Sequence, residues 1–140
     1  MLLVDTTAPK PCPLGFQGDT APLVYFMSFA AAERYGALHP LAQAASVLRR
    51  QLHVDISPLL RFTSALPEGP EDVEELERLW QDPAPLARTC QEIAQALRHH
   101  PRLRALTADF PTLPERLEEL AAIAHWAAQE GAKIRLTYLL

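Results

Sequence analysis

The amino-acid sequence predicts a mainly all-α protein, a compact bundle of about six helical segments with an extended N-terminal arm and a short terminal β-pair. Apolar residues recur at helical spacing, and prolines stand ahead of those apolar patterns. The length also favours this class, because a chain of 140 residues can bury roughly two thirds of its unfolded surface. With 49% hydrophobic and 21% charged residues, the chain is predicted to fold as one globular domain.

Prolines mark the predicted helix starts. Proline suits the first turn of a helix, because the N–H that it lacks would have had no partner there. Six of the 13 prolines precede an apolar period: Pro22, Pro40, Pro58, Pro70, Pro83 and Pro114. The spacing of apolar residues then predicts helices over 21–35, 40–52, 58–66, 70–81, 83–99 and 113–130.

Apolar stripes along these segments predict the core. Segment 21–35 is apolar nearly all round and is expected to be the most buried helix. In segment 70–81 the spacing of Val73, Leu76 and Trp80 predicts one stripe. The stripes of 83–99 and 113–130 are Leu86, Cys90, Ile93 and Leu97, and Leu113, Leu117, Leu120, Ala124 and Ala127.

The two ends of the sequence differ from the helical middle. Residues 1–19 are predicted to form the extended arm, and 20–140 a single helical domain. After Gly131, the segment "KIRLTYLL" alternates apolar and polar residues, which predicts a strand within 133–140 with residues 2–4 as its mate. Since two isolated strands are marginal in water, the pair must lie on the helices or be completed by another chain.

Two segments share the pattern Pro-Glu-x-x-Glu-Glu-Leu, at 70–76 and 114–120. They could be a repeat, two carboxylate helices that bind a metal, or two independent helix starts. Carboxylates in the first turn of a helix stabilise it by about 0.3–1 kcal/mol each. Two independent helix starts are therefore sufficient to explain the shared pattern. A solenoid would need at least three units, and a third copy is not found one period before Pro70.

The metal alternative would make the chain a helical metal-dependent hydrolase that uses the acidic helices 70–81 and 113–130. Its candidate ligands for Mg²⁺ or Mn²⁺ are Glu71, Glu74, Glu75 and Glu118. The second acidic pair that such enzymes carry closely downstream is missing, and the carboxylates lie mostly off the apolar stripe. The sequence therefore favours surface charge. We predict no catalytic residue and no cofactor, because neither a nucleophilic triad nor a phosphate-binding glycine loop is found.

Basic residues form two groups that we predict to be interaction surfaces. Arg98, Arg102 and Arg104 stand in "RHHPRLR", and Arg49, Arg50 and Arg61 form the other group. Segment 41–62 superficially resembles a helix-turn-helix DNA reader, although its first helix is too long and no glycine marks the turn. The alternative is that 98–104 meets the acidic helix 70–77, within one chain or across a dimer.

Composition limits the classes of partner. A net charge of −4 argues against a surface built wholly for nucleic acid. The longest apolar stretch, 21–32, is shorter than the roughly 20 residues of a membrane span, so no membrane contact is predicted. Two cysteines and no signal sequence predict reduced thiols in a cytoplasmic protein. The absence of Asn and the 13 prolines resemble the composition of heat-adapted proteins.

The leading functional hypothesis is a non-enzymatic helical protein–protein interaction or self-association domain, whose partner is another protein or a second copy. It depends on the absence of a catalytic constellation and on three adhesive features: the Pro-rich arm, the alternating C-terminal strand and the two opposed charge patches. A DNA-binding regulator that uses 41–62 is the first alternative, and the metal-dependent hydrolase is the second.

Overall fold

The computed structural model describes residues 1–32 and 38–140. Within them the chain forms six α-helices: α1 (Ala21–Ala31), α2 (Pro40–Ser46), α3 (Pro70–Arg78), α4 (Pro83–His99), α5 (Pro101–Leu106) and α6 (Leu113–Gln129). It also forms three strands: β1 (Leu2–Thr6), β2 (Phe62–Ser64) and β3 (Ile134–Tyr138). The predicted mainly helical fold with an N-terminal arm and a terminal β-pair is therefore confirmed.

Proline does occupy the first turn of each of these six helices. The predicted segment 83–99 coincides with α4, and 113–130 exceeds α6 by one residue. The predicted end of the first helix, 33–35, lies outside the described residues. Sequence reasoning missed α5, which begins at Pro101 directly after α4.

The core lies mainly between α4 and α6, which make the most extensive contact of any two elements described. Their predicted stripes are buried, from Leu86 to Leu97 on one helix and from Leu113 to Ala127 on the other. Helix α1 packs on α2 and buries Phe26. Each fully buried Leu, Ile or Phe stabilises the fold by about 1.5–3 kcal/mol, so this interior accounts for most of the favourable free energy of folding.

A small sheet holds the two ends of the sequence together. Its order is β1-β3-β2, with β1 antiparallel and β2 parallel to the central β3. The Met1 ammonium donates to the Leu139 carbonyl at 2.6 Å, and the Leu139 N–H donates to the Met1 carbonyl at 2.9 Å. Ile134 and Leu136 are buried beneath the sheet, which attaches it to the helical core. The third strand and this burial stabilise a pair that would be marginal alone.

The prediction of a helix over 58–66 is wrong. Ser57–Leu60 forms one 3₁₀ turn, and the chain then becomes strand β2. Three apolar residues at helical spacing could not outweigh the hydrogen bonds that β3 offers to an aromatic and β-branched strand. Segment 40–52 is also irregular, because α2 continues as a π-helical turn over Val47–Gln51.

The N-terminal arm leaves the sheet at Thr7 and returns at Thr20 without forming a helix or a strand. The predicted arm is thus extended as expected, but its first residues belong to β1. On its return the arm is fixed to α6, where the Gln17 N–H donates to Glu119 Oε2 at 2.8 Å. The Thr20 hydroxyl then accepts the Leu2 N–H at 2.9 Å, which closes the loop onto the edge of the sheet.

Gly18→Ala is expected to lower the free energy of unfolding by about 1–2 kcal/mol, because the site is overpacked. A Cβ at Gly18 would lie 2.5 Å from Nη1 of the buried Arg116, whose ion pairs restrict its movement. Gly15→Ala is the matched control, since no heavy atom lies within 4 Å of its Cβ position. Urea unfolding of both variants checks the prediction, and equal stability of the two would contradict it.

Candidate functional site

A concave surface, which we call the basic cleft, lies where α4, α5 and the start of α6 meet and encloses about 380 Å³. Arg98 comes from the last turn of α4 and Arg104 from the last turn of α5. The apolar part of the lining is Leu97, Ala108, Phe110, Pro111 and Pro114. The structure therefore brings together two of the three arginines that stand in the segment 98–104.

One histidine sets the angle between α4 and α5. His100 precedes a proline and accordingly has extended backbone, with φ −83° and ψ 119°. Its N–H donates to the Ala96 carbonyl at 2.9 Å, and its Nδ1 accepts the Leu103 N–H at 3.4 Å. His100 thus ends one helix and begins the next, and this turn places Arg98 and Arg104 on the same cleft.

Phe110 gives the cleft a supported apolar wall. Its N–H donates to the Thr107 carbonyl at 2.9 Å, and its ring centroid lies 6.3 Å from that of His39. His39 in turn stacks on Phe29, with 3.7 Å between the centroids. The packed rings behind Phe110 hold its position, so the wall is formed by the protein itself.

The cleft carries positive charge. Arg98 Nε donates to Glu118 Oε1 of α6 at 2.6 Å, which neutralises one of the two guanidinium groups in part. Arg104 is exposed and makes no ion pair within the described part of the chain. A guanidinium beside an apolar wall suits a carboxylate that belongs to an amphipathic ligand, since Arg can bind a carboxylate through two N–H groups.

The other predicted interaction residues lie elsewhere. Arg102 is exposed on α5 but does not line the cleft. Arg49 and Arg50 belong to the π-helical turn. Arg61 Nη2 donates a hydrogen bond to the Arg78 carbonyl at 2.6 Å and so caps the C-terminus of α3. The predicted helix-turn-helix within 41–62 lacks its second helix, because a 3₁₀ turn and strand β2 occupy that position.

Helix α3 is the second unusual surface, because none of its nine residues is buried. The predicted core position of Val73 is wrong, since this side chain is 52% exposed. Leu76 and Trp80 are half-buried, so the stripe reaches the protein only at the C-terminal end of the helix. There Arg135 Nη1 donates to the Leu76 carbonyl at 3.3 Å, and the Arg135 guanidinium carbon lies 4.4 Å from the Trp80 ring centroid.

The outer side of α3 combines apolar and acidic residues. Pro70, Val73, Glu74 and Glu77 follow the spacing i, i+3, i+4 and i+7, so they lie on one face, which we call the α3 stripe. All four are exposed; the side chains of Glu74 and Glu77 are 71% and 73% accessible. Glu74 pairs with Arg78 at 3.1 Å, an exposed contact that contributes little and exchanges readily with other partners.

The basic cleft and the α3 stripe lie at opposite ends of α4. The end of α3 joins the start of α4, whereas the cleft is built at its last turn. With 17 residues, α4 is about 25 Å long. Within the chain Arg98 pairs with Glu118, an acid of α6, and not with the acidic helix 70–77. Whether the acidic helix meets 98–104 of a second chain stays a prediction.

The candidate metal ligands are divided between two helices. Glu71, Glu74 and Glu75 lie on α3, and Glu118 lies on α6, where it binds Arg98. Across residues 1–32 and 38–140, no three His, Cys, Asp or Glu side chains are grouped so that they could hold a metal ion. Cys90 is fully buried, and this burial raises the pKa of its thiol well above the ordinary range, so the thiol stays protonated.

A larger groove of about 480 Å³ follows the outer edge of β1 and is walled by the arm. Met1 and Leu139 exchange both hydrogen bonds, so the alternation of an antiparallel pair turns the backbone groups of Val4 and Thr6 away from β3. Cys12 lines the groove and is half-buried. The groove therefore combines backbone polar groups of β1 with the charged side chains of Asp5 and Lys10.

Sequence reasoning missed the apolar half of the cleft. Phe110, Pro111 and Pro114 were not linked to the arginines, because the helix α5 between them was not predicted. The signal was present, since Pro101 follows His100 in the same way that other prolines follow capping residues. Recognising that start would have predicted a sharp turn after Arg98.

No helix in the described ranges is long and apolar enough to cross a membrane. No protein-family model, curated protein or solved structure with which the chain was compared matches it.

Proposed function

We propose that this chain is a non-enzymatic protein–protein interaction domain whose basic cleft binds an acidic amphipathic helix. The observation that carries the proposal is the combination, in one concave surface, of Arg104 with the apolar side chains of Phe110 and Pro111. Helices bind such grooves through anchors at i, i+3, i+4 and i+7. An apolar anchor would contact the wall formed by Phe110 while a neighbouring carboxylate pairs with Arg104.

Charge defines which partners fit. The positive lining favours acidic segments and disfavours basic ones, and complementary charge of this kind contributes more to specificity and association rate than to affinity. Because Arg104 is exposed, added salt is expected to weaken binding, as ions screen charges over about 10 Å at 0.1 M. A partner lacking carboxylates is expected to bind weakly at any salt concentration.

The test uses a labelled, designed acidic amphipathic peptide of about 15 residues, long enough to form a marginal helix. Its fluorescence anisotropy is measured during titration with the full chain and with the variant Arg104→Glu. We expect binding at low salt and about a tenfold loss of affinity in the variant, which corresponds to about 1.4 kcal/mol. Arg98→Glu is avoided, because it would also disrupt the ion pair with Glu118.

Arg102→Glu is the matched control, since it makes the same charge change on α5 outside the cleft. Its affinity for the peptide is expected to stay within about threefold of the parent value, the residual effect of a nearby exposed charge. If both variants lose affinity equally, the peptide does not bind in the cleft. A duplex oligonucleotide titrated in parallel examines DNA binding, and an oligonucleotide that binds while the peptide does not would favour the regulator alternative.

A further inference from the structure

We infer that the partner of the basic cleft is a second copy of this chain, whose α3 stripe enters the cleft. This inference rests on the proposed function and names its ligand. The stripe is a solvent-exposed helix face with anchors at i, i+3, i+4 and i+7, which is the pattern that a groove of this kind binds. It presents Pro70 and Val73 as apolar groups and Glu74 and Glu77 as acids.

The two surfaces are complementary in charge and in apolar character. The cleft offers Arg98 and Arg104 beside the apolar wall that includes Phe110. The stripe offers two carboxylates beside Val73, which is 52% exposed although the helix that carries it is amphipathic. Burying Val73 against an apolar wall would remove this exposed apolar surface from water. Glu74 pairs with Arg78 at 3.1 Å and Glu77 lies 3.9 Å from Arg135, so one of these exposed contacts would be exchanged for a contact with Arg104.

No residue of α3 lines the cleft, so the contact that we infer joins two chains. The stripe precedes the start of α4, the cleft is built at the last turn of α4, and α4 is about 25 Å long. Helix α3 is also held in place at its C-terminus by Arg61 and Arg135, which fixes the direction in which the stripe faces. The contact therefore joins two different surfaces, the stripe of one copy and the cleft of the other, either once or reciprocally about a two-fold axis.

The expected contact is small and salt-sensitive. A stripe on a helix of nine residues buries less than a standard interface of about 1,600 Å², so association is expected to be transient and dependent on concentration. Raising the ionic strength is expected to dissociate it, because the paired groups lie near the surface. Analytical ultracentrifugation of the full chain from about 10 μM to 1 mM, at low and high salt, covers the range of such weak contacts.

Two variants test the contact from its two sides. The first variant carries both Val73→Lys and Glu74→Lys, which disable the stripe, and the second carries Arg104→Glu, which disables the cleft. Each variant protein, measured by itself, is expected to sediment as a monomer. Mixed in equal amounts they are expected to form a one-to-one complex, since the first retains an intact cleft and the second an intact stripe. Recovery on mixing would show that the stripe of one copy contacts the cleft of the other, and failure of the mixture to associate would contradict that contact.

Matched controls distinguish the loss of the stripe or the cleft from the effect of changing the net charge of the chain. Glu71→Gln with Glu75→Lys makes the same charge change as Val73→Lys with Glu74→Lys. Both of these glutamates lie about 160° around α3 from Val73. Arg102→Glu matches Arg104→Glu. Both controls are expected to associate like the parent chain. Circular dichroism of each variant verifies that a monomeric result reflects a lost contact and not an unfolded chain.

The outcomes distinguish this inference from the proposed function. If the designed peptide binds the cleft but the parent chain remains monomeric at about 1 mM in low salt, the partner is another acidic helix and only self-association is overturned. If the chain associates but the stripe and cleft variants associate equally well, a different surface is responsible and the inference also fails. If neither the peptide nor a second copy binds, both proposals are wrong.

Discussion

Replacing Arg116 with alanine is expected to lower the free energy of unfolding by about 3 kcal/mol, because it leaves the largely buried carboxylate of Glu119 with the Gln17 N–H but without its arginine. The Arg116 side chain is only 6% exposed, and its Nε lies 2.9 Å from Oε1 of the largely buried Glu119. A second carboxylate, Glu115, lies 3.3 Å from Nη2. The same guanidinium packs against the arm at Gly18, so the substitution also loosens the return of the arm to α6.

Urea unfolding measures this loss, with Arg102→Ala as the control. Arg102 is exposed and makes no ion pair among the residues described, so its removal is expected to change stability by no more than about 0.5 kcal/mol. A double variant, Arg116→Met with Glu119→Leu, is expected to recover most of the loss, because replacing a buried ion pair as a whole is often neutral. Arg116→Ala unfolding at the parent urea concentration would show that the pair contributes nothing.

Arg135→Ala is expected to cost about 2–3 kcal/mol and to loosen α3 more than the rest of the fold. From β3, Arg135 donates to Asp5 Oδ2 of β1 and to the Leu76 carbonyl of α3, each at 3.3 Å, and covers the Trp80 ring. Hydrogen bonds to charged groups contribute about 1.5–3 kcal/mol, and a partly shielded cation–π contact adds about 1 kcal/mol. Urea unfolding and amide hydrogen exchange of α3 measure the two effects.

Two comparisons make the Arg135 result specific. Arg135→Lys keeps the charge but loses the planar fork, so it is expected to restore less than half of the lost stability. Arg61→Ala removes the other arginine at the end of α3 and is expected to speed exchange in α3 while leaving β1 protected. Unchanged exchange in α3 of the Arg135→Ala variant would contradict the role of this residue as its anchor.

The helical core could be predicted because burial repeats at a fixed spacing. The stripes through Cys90 and Leu120 are long enough to show a period, and both are buried as expected. The same rule failed for Val73, whose spacing is equally regular but whose helix touches the protein only at one end. Spacing reports that a side of a helix is apolar, whereas tertiary packing decides whether that side finds a neighbour within the chain.

The candidate site could be predicted only in part. Arg98 and Arg104 were recognised from their density in the sequence, but the wall formed by Phe110 depends on two turns that bring distant residues together. Arg61 shows the opposite error, since an isolated basic residue that suggested DNA contact instead caps a helix. When a helix or strand is not predicted, the sequence around a charged residue does not indicate which group that residue will contact. Only the folded structure shows the partner.

The position of β3 in the sheet has a consequence for how the protein forms during synthesis. The two outer strands are made first, and the strand that both of them need, Ile134–Tyr138, is made last of the three. Until then the hydrogen-bonding edges of β1 and β2 have no complement in the sheet, although α1, α2 and α4 have already been translated. From the synthesis of β2 to that of β3, about half of the chain, a nascent chain therefore has two strands with unpaired hydrogen-bonding edges. Unpaired edges of this kind favour misassembly and binding by chaperones.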